Sequence, residues 1–74
     1  MLDERYRQMG AKIKYYRTIN KMDQTAFAAA VGITPQYLSR IERGDAKPST
    51  DLLFQIADRL DVEISAILKS EAEV

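Results

Sequence analysis

Two short segments rich in apolar residues are separated by only three residues, Gly32-Ile33-Thr34, and this spacing constrains the fold more than any other feature of the chain. Gly32 suits the end of a helix, where the backbone commonly becomes left-handed. Thr34 and Pro35 suit the start of the next helix, because Thr caps helices and Pro lacks an N–H that the first helical position leaves unpaired. Two helices joined by so short a turn are expected to cross steeply.

A steep crossing requires small side chains where the helices meet, and we expect Ala28 and Gly32 to supply them. Apolar side chains then fill the wedge between the helices: Phe27, Val31, Ile33, Leu38 and Ile41. With Leu38 and Ile41 directed inward, the outer face of the second helix presents a set without acids: Pro35, Gln36, Ser39, Arg40 and Arg43. Amide and guanidinium groups can bind the edges of adenine and guanine, although a solvated helix surface is the alternative for each residue taken singly.

The rest of the chain carries similar helix signals and no alternation long enough for a strand. Helices are predicted at about residues 3–20, 24–31, 34–43, 50–60 and 63–69, with Asp23, Thr34 and Ser49 as N-caps. The first helix has an inward stripe at three- and four-residue spacing: Tyr6, Met9, Ile13, Tyr16 and Ile19. The prediction is an all-α fold of five helices in one domain, followed by a flexible tail over residues 70–74.

Composition narrows the function classes. The 74 residues include no Cys and no His, so there is neither a disulfide nor the commonest metal ligand or general base. We expect no catalytic site, no metal, no cofactor and no small-molecule ligand. The longest apolar run, residues 26–31, is far shorter than a membrane span, and the N-terminus lacks a signal-peptide core. The expectation is a cytoplasmic protein without a membrane partner.

Charge is balanced in total but segregated along the chain. The 11 basic and 11 acidic residues leave residues 1–50 with a net charge of +4 and residues 51–74 with −4. Such asymmetry suggests that the basic part binds a polyanion, although chance segregation on a solvated surface is the alternative.

Residues 24–49, with the run Ser39-Arg-Ile-Glu-Arg-Gly44 and Pro48 after it, resemble the helix-turn-helix of the Cro/C1-type (XRE) family of bacterial and phage transcription regulators. Residues 9–17 resemble the first helix of that family and residues 53–62 the fourth. The resemblance implies a five-helix, lambda-repressor-like DNA-binding domain over residues 9–69, with residues 1–8 extending the first helix. Phe27, Asp23 and Pro35 depart from the residue types usual in the family, and the Pro35 change puts one base contact in doubt.

The resemblance also implies roles for individual residues on double-stranded DNA. The expected base contacts are Pro35, Gln36, Ser39 and Arg40. The expected phosphate contacts are Gln24, which would also brace the third helix, and Thr34, Tyr37, Arg43 and Lys47. Arg17 and Glu42 occupy the positions of a structural ion pair, although Arg17 as a phosphate contact beside a solvated Glu42 is the alternative.

A single recognition helix contacts few base pairs, so we expect a homodimer on a palindromic operator, with half-sites about 34 Å apart. In small relatives dimers form through the fifth helix, which suggests an interface of Phe54, Ile64, Ile67 and Leu68; the alternative is that the residues of helix five belong to the core. The function expected is a transcriptional repressor or restriction–modification controller, associated with the nucleoid when bound. The alternative is a module that binds a protein partner, such as an antitoxin or anti-regulator.

Overall fold

The computed structural model describes residues 3–69, and the described chain forms five α-helices without a strand. Their bounds are α1 (Glu4–Ile19), α2 (Gln24–Ala30), α3 (Pro35–Arg43), α4 (Thr50–Leu60) and α5 (Ile64–Leu68). The predicted five-helix fold is confirmed. The tail predicted over residues 70–74 lies outside the described residues. Within residues 3–69 no helix is long and apolar enough to cross a membrane.

Side-chain caps fix where four of the helices begin. The Asp23 carboxylate accepts from the Ala26 N–H at 2.8 Å and the Thr34 hydroxyl accepts from the Tyr37 N–H at 3.0 Å. The Ser49 hydroxyl accepts from the Leu52 N–H at 3.1 Å, and Asp3 caps α1 by accepting from the Arg5 N–H at 2.8 Å. These caps satisfy backbone donors that the first turn of a helix leaves unpaired, so polar residues at four positions determine the helix starts.

The hydrophobic core lies between α1 and the four shorter helices. Its fully buried large side chains are Ile13, Phe27, Leu38, Ile41, Ile56 and Ile67. The inward stripe predicted for α1 is correct except at its last position, because Ile19 is 55% exposed. The chain reverses at Lys21, whose φ is 58°, and Met22 packs against the core beyond the end of α1 instead.

Gly32 and Gly10 have different structural roles. Gly32 has φ +76° and open space around it, so the predicted small-residue contact at this position is wrong; Gly32 serves the left-handed turn between α2 and α3. Gly10 in the middle of α1 is the tight contact. A Cβ there would lie against the Ile41 carbonyl oxygen and 2.8 Å from the Glu42 carbonyl oxygen. The absence of a side chain at Gly10 therefore lets α1 and α3 approach closely.

We predict that Gly10→Ala destabilises the fold, although Ala is favoured over Gly in a helix interior by about 1 kcal/mol. The added methyl group meets backbone atoms, so α1 and α3 must separate, and overpacking of this kind costs about 1–3 kcal/mol. The free energy of unfolding from urea titration measures the effect. Ala29→Ser, at an exposed position of α2, is the control and is expected within about 0.5 kcal/mol of the parent. A Gly10→Ala variant as stable as the parent would contradict the close α1–α3 approach.

The first turn of α1 is predicted to lose stability in acid. Hydrogen bonds from the Arg5 side chain and backbone lower the pKa of Asp3 from 3.8 to about 2. Because the pKa is lower in the folded state, the stabilisation is complete above about pH 4 and is lost as the pH falls through about 2. An NMR titration of the Asp3 carboxyl carbon should give a midpoint near 2. Asp3→Asn should keep the cap and lose this pH dependence, and a midpoint near 3.8 would show that the Arg5 contact is absent in solution.

Candidate nucleic-acid interface

The outer face of α3 is open to solvent while its inner face is locked into the core. Leu38 and Ile41 are fully buried, whereas Gln36 and Arg40 are exposed and Ser39 is half-buried. The only acidic residue of α3, Glu42, is buried. The face predicted to contact bases is thus accessible, rigidly anchored and free of exposed carboxylates.

Arg40 is held in place on this face before any ligand binds. Its Nη2 donates to the Asp45 carbonyl oxygen at 3.1 Å, and its guanidinium carbon lies 6.0 Å from the centre of the Tyr37 ring. A guanidinium group carries five N–H donors, and this arrangement uses one of them. Enough donors remain for a bidentate contact with a base edge, at a reduced entropic cost of ordering the side chain.

Gln24 at the start of α2 braces α3. Its amide nitrogen donates to the Ser39 hydroxyl and to Glu42 Oε1, both at 3.1 Å. Both amide N–H groups are therefore occupied, so the predicted donation from this side chain to a phosphate is incompatible with the observed hydrogen bonds. Ser39 accepts from Gln24, which leaves its hydroxyl proton free to donate outward.

Arg17 and Glu42 form the ion pair that the resemblance implied. Arg17 Nε donates to Glu42 Oε2 at 2.7 Å and Nη2 donates to Oε1 at 3.1 Å, a bidentate geometry. The side chains are only 11% and 3% exposed, and Arg17 Nη1 also donates to the Met22 carbonyl oxygen at 2.8 Å. In residues 3–69 no buried side-chain polar atom lacks a hydrogen-bond partner. The negative charge of α3 is thus neutralised inside the protein, and α1, α2 and α3 are tied together at one point.

The residues predicted to contact phosphates, apart from Gln24 on α2, lie at both ends of α3 and in the loop after it. Thr34 Oγ1 accepts from the Tyr37 N–H and keeps its own proton for donation. Arg43 Nε lies 3.3 Å from Asp45 Oδ2, in an exposed pair that constrains it weakly. The Lys47 ammonium lies 5.7 Å from the centre of the Tyr6 ring on α1. These cations remain available at the surface.

The structure adds Lys14, which the sequence analysis did not single out. A shallow groove between α1, α2 and α3 is lined by Lys14, Arg17, Gln24, Ser39, Glu42 and Arg43. Because Arg17 is neutralised by Glu42, the exposed cations at this groove are Lys14 and Arg43. The spacing of three residues between Lys14 and Arg17 on one helix was the signal that would have placed Lys14 here.

The structure separates the four residues predicted for the dimer interface. Phe54 and Leu68 are 49% and 50% exposed, and Ile64 is half-buried. Ile67 is fully buried, because α5 packs its Ile67 face against α1 and α4. The prediction that Ile67 meets a partner is wrong, and Ile67 belongs to the core of the monomer.

Comparison with known proteins agrees with this geometry. Residues 13–67 match the helix-turn-helix family HTH_3. The chain belongs to the Cro/C1-type helix-turn-helix family. It is a transcriptional regulator with a helix-turn-helix DNA-binding fold.

Relatives and solved structures extend the match over most of the chain. The ImmF control region 10 kDa protein of Bacillus phage phi105 is 36% identical over 74 residues, covering 100% of this chain and 80% of that protein. An HTH-type transcriptional regulator of Methanocaldococcus jannaschii, MJ0272, is 37% identical over 59 residues, covering 80% of this chain and 89% of the relative. The restriction-modification controller protein C.AhdI from Aeromonas hydrophila has the same fold, with a TM-score of 0.83, 23% identity, and coverage of 88% of this chain and 98% of that one.

We predict that Arg17→Ala and Glu42→Ala each lower the free energy of unfolding by about 3–5 kcal/mol, because each change leaves an unpaired buried charge. A double-mutant cycle measured by urea denaturation should show strong coupling between the two positions. The exposed pair of Arg7 and Glu4, at 2.8 Å, is the matched control and should couple by about 0–1 kcal/mol. Additive effects at Arg17 and Glu42 would show that the buried pair does not act as a unit.

Proposed function

We propose that the chain is a sequence-specific transcriptional regulator that places α3 in the DNA major groove and binds a palindromic operator as a two-fold homodimer. The observation that carries this proposal is the outer face of α3, which is exposed, free of solvated acids and anchored from beneath by Leu38 and Ile41. A helix of this kind fits the width of the major groove.

The proposed base contacts follow from the donors and acceptors on this face. Gln36 offers an amide, suited to adenine, and Arg40 offers a guanidinium, suited to guanine. Ser39 donates its hydroxyl proton to a base acceptor, since its oxygen accepts from Gln24. Pro35 has no side-chain donor and packs against a thymine methyl group.

The proposed phosphate contacts surround these base contacts and fix the position of α3 on the duplex. Thr34 donates its hydroxyl proton, Tyr37 its phenol, and Arg43 and Lys47 their charges; Lys14 joins them from α1. Gln24 acts by bracing α3. Each cation that neutralises a phosphate releases condensed counterions, so affinity falls steeply with salt.

The proposed dimer forms through Phe54, Ile64 and Leu68. Two of these three side chains are about half exposed, and all three lie on α4 and α5 rather than on the DNA-binding helix. A two-fold dimer doubles the number of base contacts and places equivalent half-sites about 34 Å apart.

The proposal includes a cytoplasmic protein that needs no cofactor and performs no catalysis. A repressor or restriction–modification controller is the type proposed, in line with the named control-region and controller proteins that it resembles. A role in binding a protein partner is the competing outcome, and it predicts an affinity for DNA that is weak or absent.

Selection of bound duplexes from a random pool tests the base contacts. The parent should select one palindromic sequence. Gln36→Ala and Arg40→Ala should each cost about 1–3 kcal/mol on that sequence and relax the preference at one symmetric pair of positions. Arg59→Ala, which removes an exposed arginine from α4, is the matched control and should retain the preference.

The outcomes of that selection are distinct. If Gln36→Ala and Arg40→Ala weaken binding equally on all sequences, Gln36 and Arg40 contact phosphates instead of bases. No selected sequence, together with an affinity for duplex DNA that hardly depends on salt concentration, would overturn the proposal and favour a protein partner.

A further inference from the structure

Two open grooves flank α5, and their charges are opposite. The groove between α4 and α5 is lined by Phe54, Ala57, Asp58, Asp61, Val62, Glu63 and Ile64. We call it the acidic groove, because its ionisable lining residues are three carboxylates. The groove between α1 and α5 is lined by Gln8, Ala11, Lys12, Tyr15, Tyr16, Ala66 and Lys69. We call it the basic groove, because its charged lining residues are two lysines. Both grooves contain apolar side chains.

The geometry of α5 places the two grooves on its opposite sides. Ile64 and Ala66 are two residues apart, which separates them by about 200° around a helix. Ile64 lines the acidic groove and Ala66 the basic groove, while Ile67 points into the core. The outward ridge between the grooves carries Ser65 and the half-exposed Leu68.

The charges at the two rims are unsatisfied within the described part of one chain. Within residues 3–69, no ion pair or side-chain hydrogen bond is formed by the three carboxylates of the acidic groove. The same holds for Lys12 and Lys69 of the basic groove. Tyr15 in the basic groove is 60% exposed, and Phe54 in the acidic groove is 49% exposed. Each groove therefore offers both apolar surface and charges that a partner of the opposite sign would satisfy.

A dimer that placed one acidic groove against the other would bring like charges together, which opposes association. A two-fold dimer also allows a reciprocal contact, in which surface i of one copy meets surface j of its partner and j meets i. Two copies of α5 that meet through Ser65 and Leu68 with their axes roughly parallel would produce that arrangement, because the two-fold axis then runs along α5 and exchanges its two sides. The acidic groove of each copy would then face the basic groove of the other.

We propose that the occupant of both grooves is a second copy of this chain, with the acidic groove of each protomer docked on the basic groove of its partner. This inference rests on the proposed homodimer and specifies its register. Leu68 and Phe54 lie near the centre of the interface, and Lys12 and Lys69 of each copy face the carboxylates of the other. The two-fold axis produces two contacts between an acidic and a basic groove. Charge complementarity in both contacts favours this register over one that places like grooves together.

Charge exchange tests the register. The double variant Lys12→Glu/Lys69→Glu has two acidic grooves. The double variant Asp58→Lys/Glu63→Lys converts the acidic groove to a basic one. Asp61 is left unchanged because its φ of 58° is a left-handed conformation that few other residues adopt easily. For each double variant, the dimer dissociation constant measured by sedimentation equilibrium at low salt should be at least tenfold higher than that of the parent. The chain carrying all four changes should dimerise within about threefold of the parent, and an equimolar mixture of the two double variants should form heterodimers.

The controls separate this inference from the proposed function. Arg59→Glu, a charge reversal at an exposed residue of α4 that lines neither groove, should leave dimerisation unchanged. Circular dichroism establishes that the variants fold, and concentration-dependent NMR shifts of the parent should appear at both Phe54 and Ala66. Any of three outcomes overturns the inference. The parent remains monomeric at millimolar concentration, the lysine double variant dimerises like the parent, or the variant with all four changes stays monomeric. Binding of duplex DNA by the parent, measured alongside, decides whether α3 binds DNA, and that result does not depend on which surfaces of the two protomers meet.

Discussion

The buried pair of Arg17 and Glu42 is the contact on which the arrangement of the DNA-binding helices depends. The pair joins α1 to α3. Arg17 also donates to the Met22 carbonyl oxygen just before α2, and Gln24 at the start of α2 donates to Glu42. Glu42 is 3% exposed, so its charge is tolerable only because Arg17 and Gln24 supply three hydrogen bonds to it. A single carboxylate thus fixes the relative position of three helices.

That arrangement has a direct electrostatic consequence for the face of α3. An acid on a helix that approaches DNA would repel phosphates if it were solvated. Here the carboxylate is turned inward and neutralised, while Gln36 and Arg40 remain outside. The same cluster orients Ser39 through Gln24, so the support of the helix and the chemistry of its outer face are coupled.

Charge segregation continues on the side of the molecule built by α4 and α5. The carboxylates there surround an apolar groove, whereas the lysines that could neutralise them line the neighbouring groove across α5. Phe54, Leu68 and Tyr15 leave apolar surface in contact with water, and an interface that covered them would remove that surface from water. Association through these surfaces would therefore stabilise the fold as well as double the DNA contacts.

Local signals in the sequence determined the five helices, because the caps Asp23, Thr34 and Ser49 and the left-handed Gly44 act within one turn of their own position. The periodicity of α3 likewise determined which of its faces is exposed. Three features depended on contacts distant in sequence, and local patterns could not supply them: Gly10 against the carbonyls of α3, the burial of Ile67 beneath α1 and α4, and the two hydrogen bonds that occupy Gln24. The sequence by itself predicted which helices form and which side chains are candidates for contact with DNA. Only the tertiary structure decided which donors remain free and which apolar residues stay outside, because both depend on what the neighbouring helices cover.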